Sequence, residues 1–320
     1  MSSTTLGRIQ AVAAGTAVGA PKPVVAGEYG VAPEGFRLPA AARIGRVRLQ
    51  VADLGRSLRY YGEVLGFRVI ERAEGRAVLG AHGSDAPLVE LVEKPGARAV
   101  PRRGLLGLYH FAVLLPDRAA LGRFLAHLGQ IGAYAGMSDH HVSEAIYLTD
   151  PDGLGIEVYA DRPRSAWLQR GPELAMATEP LNTADVIRAA GGEPWTGIPA
   201  GTTIGHVHHY VGDIEQAARF YHQGLGFDAV VWSYPGALFL SAGGYHHHVG
   251  LNTWAAGSPA ATDGDARLLH WELLLPGAAA IEGAAESLRA GGFAPEPAEG
   301  GWIARDPWGI AVRIAPDPAA

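Results

Sequence analysis

The sequence predicts an α+β protein of four βαβββ modules in two halves, and three observations point there. Its 320 residues are 48% hydrophobic and 18% charged, enough apolar material for about two domains of roughly 150 residues each. A block of sequence recurs 160 residues downstream. Within each half, strand-like and helix-like stretches follow one another in the same order twice.

The repeat is explicit. Ile44–Asp53 (IGRVRLQVAD) aligns with Ile204–Asp213 (IGHVHHYVGD), and Leu65-Gly66-Phe67 aligns with Leu225-Gly226-Phe227. His110 followed by Leu114-Leu115-Pro116 matches His270 followed by Leu274-Leu275-Pro276. Asp150-Pro151-Asp152-Gly153 has its counterpart in Asp306-Pro307-Trp308-Gly309. Self-similarity of this kind marks a duplicated architecture.

Each module opens with an alternating or apolar run that suits a strand. A helix pattern follows, over Leu54–Val64, Ala119–Leu128, Ile214–Gln223 and Ala278–Ala290. Asp53 and Asp213 stand where an N-cap accepts free helix N–H groups, and Gly66 and Gly226 where such a helix stops. Three short strand-like runs close each unit, among them Ala145–Leu148 and Gly155–Tyr159. The modules fall near 43–95, 108–160, 202–254 and 268–316. Residues 41–161 therefore carry modules one and two, and residues 204–320 carry modules three and four. A Pro- and Gly-rich linker, 162–203, joins them and holds a short helix at Thr183–Ala190.

Composition excludes several chemistries. The net charge is −6 and no dense Lys/Arg run occurs, which argues against nucleic acid or an anionic membrane as partner. No cysteine is present, so disulfides, thiolate nucleophiles and Cys-ligated zinc or iron–sulfur sites are ruled out. Residues 1–40 are rich in Ala, Gly and Pro. The stretch 11–20 is too short and too weakly apolar to span a bilayer and makes a poor signal-peptide core. Residues 1–40 thus read as a flexible arm on a cytoplasmic protein. Thirteen histidines remain as the chemically interesting resource.

The segment His140-His141-Val142-Ser143-Glu144-Ala145-Ile146-Tyr147-Leu148-Thr149-Asp150-Pro151-Asp152-Gly153-Leu154-Gly155-Ile156-Glu157, set in this modular frame, resembles the vicinal oxygen chelate superfamily (the glyoxalase/bleomycin-resistance/dioxygenase fold). More narrowly it resembles the extradiol ring-cleaving dioxygenases of catechol 2,3-dioxygenase type. The resemblance covers most of residues 43–316 and implies metal ligands on the first and last strands of each module. At the first-strand position the modules offer Arg46, His110, His206 and His270; at the last, module two offers Glu157 and module four Arg313. A guanidinium cannot ligate and repels a dication. Modules two and three alone supply two imidazoles and a carboxylate: His110, His206 and Glu157. That is the facial triad of non-haem iron(II) sites; manganese(II) accepts the same set. His208 shares the face of His206, since strand side chains alternate, and is the ligand if the register slips by two. His209 points to the other side, and His270 reads as a relic.

The resemblance further implies an acid–base histidine within Tyr245-His246-His247-His248. Motif alignment selects His247, whereas strand alternation sends His246 and His248 into the pocket, so His247 and His248 both stand. Tyr147 and His140 match the family's pocket tyrosine and second pocket histidine, while His141 faces solvent. The implied substrates are a small aromatic diol and O2, and the implied product is a hydroxymuconic semialdehyde; relatives associate into homo-oligomers. Trp232, Phe239, Trp254 and Tyr210 are candidates for shaping the pocket. Two other functions use the same scaffold. One is a glyoxalase-like isomerase or lyase with nickel or zinc and a fourth ligand from His246–His248. The other is a metal-free protein that binds an antibiotic or aromatic ligand, which would have no need for the His110, His206 and Glu157 set.

Overall fold

A computed structural model describes residues 4–14 and 20–319. After helix α1 (Thr5–Ala14), module one runs β1 (Arg43–Val51), α2 (Leu54–Arg59, extended by a wider π turn over Tyr60–Val64), β2 (Arg68–Ala73), β3 (Arg76–Gly80) and β4 (Pro87–Glu93). Module two comprises β5 (Gly107–Leu114), α3 (Arg118–Ile131), β6 (Gly136–Asp139), β7 (Ser143–Thr149) and β8 (Gly155–Asp161). The connector carries α4 (Thr183–Ala189). Module three comprises β9 (Thr203–Tyr210), α5 (Ile214–Ala218, again extended by a π turn, Arg219–Gly224), β10 (Asp228–Val231), β11 (Ala237–Ser241) and β12 (Val249–Asn252). Module four closes the chain with β13 (Arg267–Leu275), α6 (Ala278–Ala290), β14 (Glu296–Ala298), β15 (Gly301–Arg305) and β16 (Ala311–Pro316).

Local chemistry explains the repeated helices. Asp53 and Asp213 cap α2 and α5 by accepting from the Arg56 and Gln216 N–H groups, each at 2.8 Å, which satisfies donors that the first turn leaves free. Gly66 and Gly226 then turn the chain with φ of +85° and +92°. A Cβ on Gly66 would sit 2.7 Å from the Trp195 indole, and one on Gly226 2.7 Å from the Phe36 carbonyl oxygen. Both glycines thus allow a reversed φ and a close approach by a segment outside the modules.

The eight-stranded sheets cross the sequence halves. One runs β10-β11-β12-β9-β5-β8-β7-β6, joining modules three and two; the other runs β14-β15-β16-β13-β1-β4-β3-β2, joining modules four and one. Val47, Phe111, Val207 and Trp271, one from each opening strand, are fully buried in a single shared core. Alternation therefore leaves the other faces of β5 and β9 free for a site.

A second device ties the modules of each half together. The Asp150 carboxylate accepts from the Asp152 and Leu154 N–H groups, both at 2.9 Å, and from the Tyr61 hydroxyl at 3.3 Å. Asp306 repeats the pattern with Trp308, Ile310 and Tyr221. The Asp-Pro-x-Gly turns are thus structural, and each accepts a hydroxyl from the preceding module.

The N-terminal arm differs from expectation. The Thr5 and Leu6 N–H groups donate to the Glu215 carboxylate at 2.7 Å, Val31 bridges to Ala229, and Ile9 and Leu38 are buried in the shared core. The described part of residues 1–40 is docked, because a carboxylate meets a helix N-terminus and two apolar side chains leave water. The segment 15–19 lies outside the described residues. No described helix is long and apolar enough to cross a membrane.

Replacing Asp306 by Ala strands two backbone N–H groups and the buried Tyr221 hydroxyl. Stability should fall by about 3 kcal/mol, read as a lower thermal unfolding midpoint.

Candidate metal centre

Three adjacent strands assemble the site. On β5, His110 and Ala112 face away from the core while Phe111 and Val113 enter it. Ala112 lies opposite His206 on β9 and opposite Glu157 on β8, so His206, Ala112 and Glu157 form one row across the sheet. The small Ala112 side chain leaves the centre of that row open. His110 Nε2 stands 2.9 Å from Glu157 Oε2, and His206 Nε2 lies 3.1 Å from the same oxygen. One potential ligand atom from each of the three lies within 4.8 Å of the others, and no fourth His, Asp or Glu joins the group among the described residues.

The donors suit a divalent ion. His110 Nε2 is buried 2.9 Å from the carboxylate oxygen without forming a hydrogen bond. An atom that close and still unsatisfied is what a shared cation would complete. Burial pushes His206 down to about 4, leaving a neutral imidazole. Burial alone would raise Glu157, but His206 and His110 beside it hold its carboxyl well below the usual range. Neutral imidazoles and an ionised carboxylate are the ligating forms, and two nitrogens with one oxygen suit iron(II) or manganese(II).

The trio opens on a cavity of about 480 Å³ lined among others by Tyr109, Met137, His140, Tyr147, His208 and His247. Tyr147 lies directly opposite Glu157 on the neighbouring strand, and burial, with the Glu157 charge adding to it, raises its hydroxyl well above its ordinary value. His140 Nδ1–H donates to the Ala177 carbonyl at 2.7 Å, which leaves Nε2 to accept from the Tyr147 hydroxyl at 2.5 Å. The turn behind this pair is tight. His141 has φ of +68°, the one non-glycine residue with positive φ among those described, and its side chain points outward to Glu179.

The structure separates the consecutive histidines, and it overturns the alternation argument for His248. Residues 243–248 precede β12 and turn through Gly243 and Gly244 at positive φ, so strand periodicity does not apply to them. His247 lines the cavity, its ring 4.0 Å from that of His206. His248 instead accepts the Ala242 N–H at 3.1 Å. Behind His247 runs a chain of polar contacts. His246 Nε2 lies 2.9 Å from Asp161 Oδ1, and His246 Nδ1 lies 2.7 Å from His247 Nδ1. With Asp161 accepting from His246 Nε2–H, His246 Nδ1 accepts from His247 Nδ1–H, and His247 Nε2 keeps its lone pair.

His208 lies outside the trio. Its ring occupies the space that Gly250 leaves free, where a Cβ would stand 2.8 Å away, and its Nε2 accepts from the Asn252 amide at 3.0 Å. His209 points into the core against Tyr221 and Trp271. In the second sheet Arg46, Glu272 and Arg313 replace His206, Ala112 and Glu157. Arg46 pairs with Glu90 and Glu272 at 3.0 Å each, and Arg313 with Glu272 at 3.0 Å, so guanidinium groups fill the position. His270 sits beside them with Nε2 unpartnered.

Some of the wall escaped the sequence reading. Phe239 and Trp254 line the cavity, but Tyr210 lines the hollow next to it, and Trp232 is buried in the core. Met176, Ala177 and Thr178 come from the connector, whose sequence carries no periodicity to mark them. Asp161 was findable: it shares a face of β8 with Glu157, four residues away.

Comparisons agree with this architecture. The model of the Glyoxalase/Bleomycin resistance protein/Dioxygenase superfamily matches residues 43–158 and 203–314. The chain belongs to that superfamily. Within it, a catechol-2,3-dioxygenase of Bacillus subtilis (strain 168) is 43% identical over 268 residues, covering 82% of this chain and 93% of the relative. Among solved structures, a candidate dioxygenase from Bacillus subtilis subsp. subtilis str. 168 aligns with TM-score 0.61 at 13% identity, covering 88% of this chain and 87% of its own. Glyoxalase I from Zea mays aligns with TM-score 0.51 at 19% identity, covering 86% and 92%. These two share the superfamily fold.

The buried histidines make the metal-free protein acid-sensitive. His206 and His270 are depressed to about 4 and His209 and His248 to about 3, all by burial. Below about 6.5 the unfolded chain binds protons that the folded chain refuses, so stability falls with pH, by roughly 2 kcal/mol per histidine at pH 5. Burial raises Asp150 and Asp306 to about 6; their folded forms take protons first, returning roughly 1 kcal/mol each at pH 5. The histidines outweigh them. The thermal midpoint of metal-free protein should drop between pH 7 and pH 5.

Proposed function

We propose that this chain is an extradiol dioxygenase that uses iron(II) to cleave a catechol ring with O2, giving a hydroxymuconic semialdehyde. The observation that carries the reading is the convergence of His110, His206 and Glu157 on a cavity that His140, Tyr147 and His247 also line. Its 43% identity to a catechol-2,3-dioxygenase over most of both chains supports it. A three-ligand set also leaves positions open for a diol and O2, which favours this reading over an isomerase with four protein ligands.

Iron bound there would supply a Lewis acid that eases diol ionisation and a path for electrons from substrate to oxygen. The chain's own residues do the rest. His110, His206 and Glu157 would hold the ion. The bare Nε2 of His247 accepts a proton from a substrate hydroxyl and returns it later, with Asp161 and His246 fixing the ring's tautomer. The Tyr147 hydroxyl, kept protonated by its burial, donates to a substrate oxygen, and His140 Nε2 orients it. Phe239, 5.1 Å from the His247 ring, shields that end from water.

Protein reconstituted anaerobically with iron(II) should consume O2 and turn a catechol solution yellow; inactivity across a catechol panel refutes the assignment. Glu157→Ala should lose both iron and turnover, whereas Arg313→Ala should keep its iron; the opposite pattern would move the centre to the other sheet. His247→Ala should retain iron and lose about 10²–10⁴-fold in kcat, while His248→Ala should mainly lower the unfolding midpoint.

A further inference from the structure

We propose that the chamber selects uncharged catechols bearing an apolar alkyl or aryl substituent and rejects those bearing a carboxylate, a specificity that rests on the dioxygenase reading above. The chamber's volume of about 480 Å³ falls among clefts that take drug-sized ligands and is several times what one six-membered ring needs. A substituent therefore has room, and the walls decide its chemistry.

Those walls are mainly apolar and carry no lysine or arginine. Beyond the histidines, Glu157, Tyr147 and a few small residues that include Ser138 and Thr178, the lining is Tyr109, Met137, Met176, Tyr234, Phe239 and Trp254. Aromatic rings continue outward from the centre. Phe239 lies 5.1 Å from the His247 ring, Tyr234 lies 5.9 Å from Phe239, and Trp254 lies 6.3 Å from Tyr234 and 5.8 Å from Tyr109. Trp254 is 50% exposed, yet it is held in place by its Nε1–H donating to the Pro235 carbonyl at 3.0 Å. An anchored, half-exposed indole at the mouth offers apolar surface that a ligand covers with gain. Met137 and Met176 are unbranched thioethers that adapt to substituents of different shape.

A carboxylate would find no lysine or arginine here, only neutral hydroxyl groups such as those of Ser138 and Thr178. Positive charge from a metal lies at the His110–Glu157–His206 end, where the diol oxygens bind. Moving a carboxylate out of bulk water against that wall without a cation leaves its charge unpaired. The nearest alternative is Arg102, which lines the adjoining hollow rather than the chamber; Tyr109, His110 and Tyr147 are common to both.

The test is kcat/KM of the iron-loaded protein on catechol, 4-methylcatechol and 2,3-dihydroxybiphenyl against 3,4-dihydroxybenzoate and 3,4-dihydroxyphenylacetate. The neutral substituted catechols should match or exceed catechol, and the carboxylated ones should fall at least about 100-fold below it. Met176→Lys should raise the carboxylated-to-neutral ratio at least about tenfold. Equal use of both classes overturns the proposal, as does a carboxylate preference that Arg102→Ala abolishes. Calorimetry on zinc-loaded protein, which does not turn over, reads the same preference as a Kd ratio. Failure to cleave any catechol, with the Kd preference intact, would sink the dioxygenase reading and leave the chamber's selectivity standing. Turnover of catechol without the preference would do the reverse.

Discussion

The antiparallel pairing of β5 with β9 sets the terms for everything else in this protein. It joins strands almost a hundred residues apart, from opposite halves of a duplicated sequence, and places His110 opposite His208 and Ala112 opposite His206. A one-residue slip of β9 against β5 would turn His206 into the core and away from His110 and Glu157. Val47, Phe111, Val207 and Trp271 prevent the slip, because each fills the interior from the opposite face of its strand. Packing on one side of the sheet therefore fixes chemistry on the other.

The same reasoning explains why one sheet carries a candidate metal-binding set and its twin, among the described residues, does not. Strand order and register are equivalent, so Arg46, Glu272 and Arg313 occupy the places of His206, Ala112 and Glu157. Charge is balanced there by guanidinium and carboxylate groups within the chain. The pairs are only partly screened from water, and their role is to satisfy one another where no ion is called for.

How much of this was legible in the sequence depended on periodicity. The duplication exposed the four modules, and module equivalence picked out His110, His206 and Glu157 because matched positions in a repeat share a geometry. Legibility ended where the chain left regular structure. His247 and His248 were inseparable because Gly243 and Gly244 break the alternation just before β12. Met176 and Thr178 lie in a connector with no pattern. The docking of residues 1–40 depends on contacts with module three, such as Glu215 and Ala229, that no local signal announces.

The connector also has an evolutionary meaning. Residues 176–178 close one side of the chamber but belong to none of the four repeats, and Ala177 meets His140 twice, its carbonyl accepting from the ring and its N–H donating to the His140 carbonyl at 3.5 Å. Change in that strip of chain can remodel one side of the chamber while the duplicated framework stays untouched. Freedom to vary and constraint by the framework thereby fall on different stretches of one polypeptide.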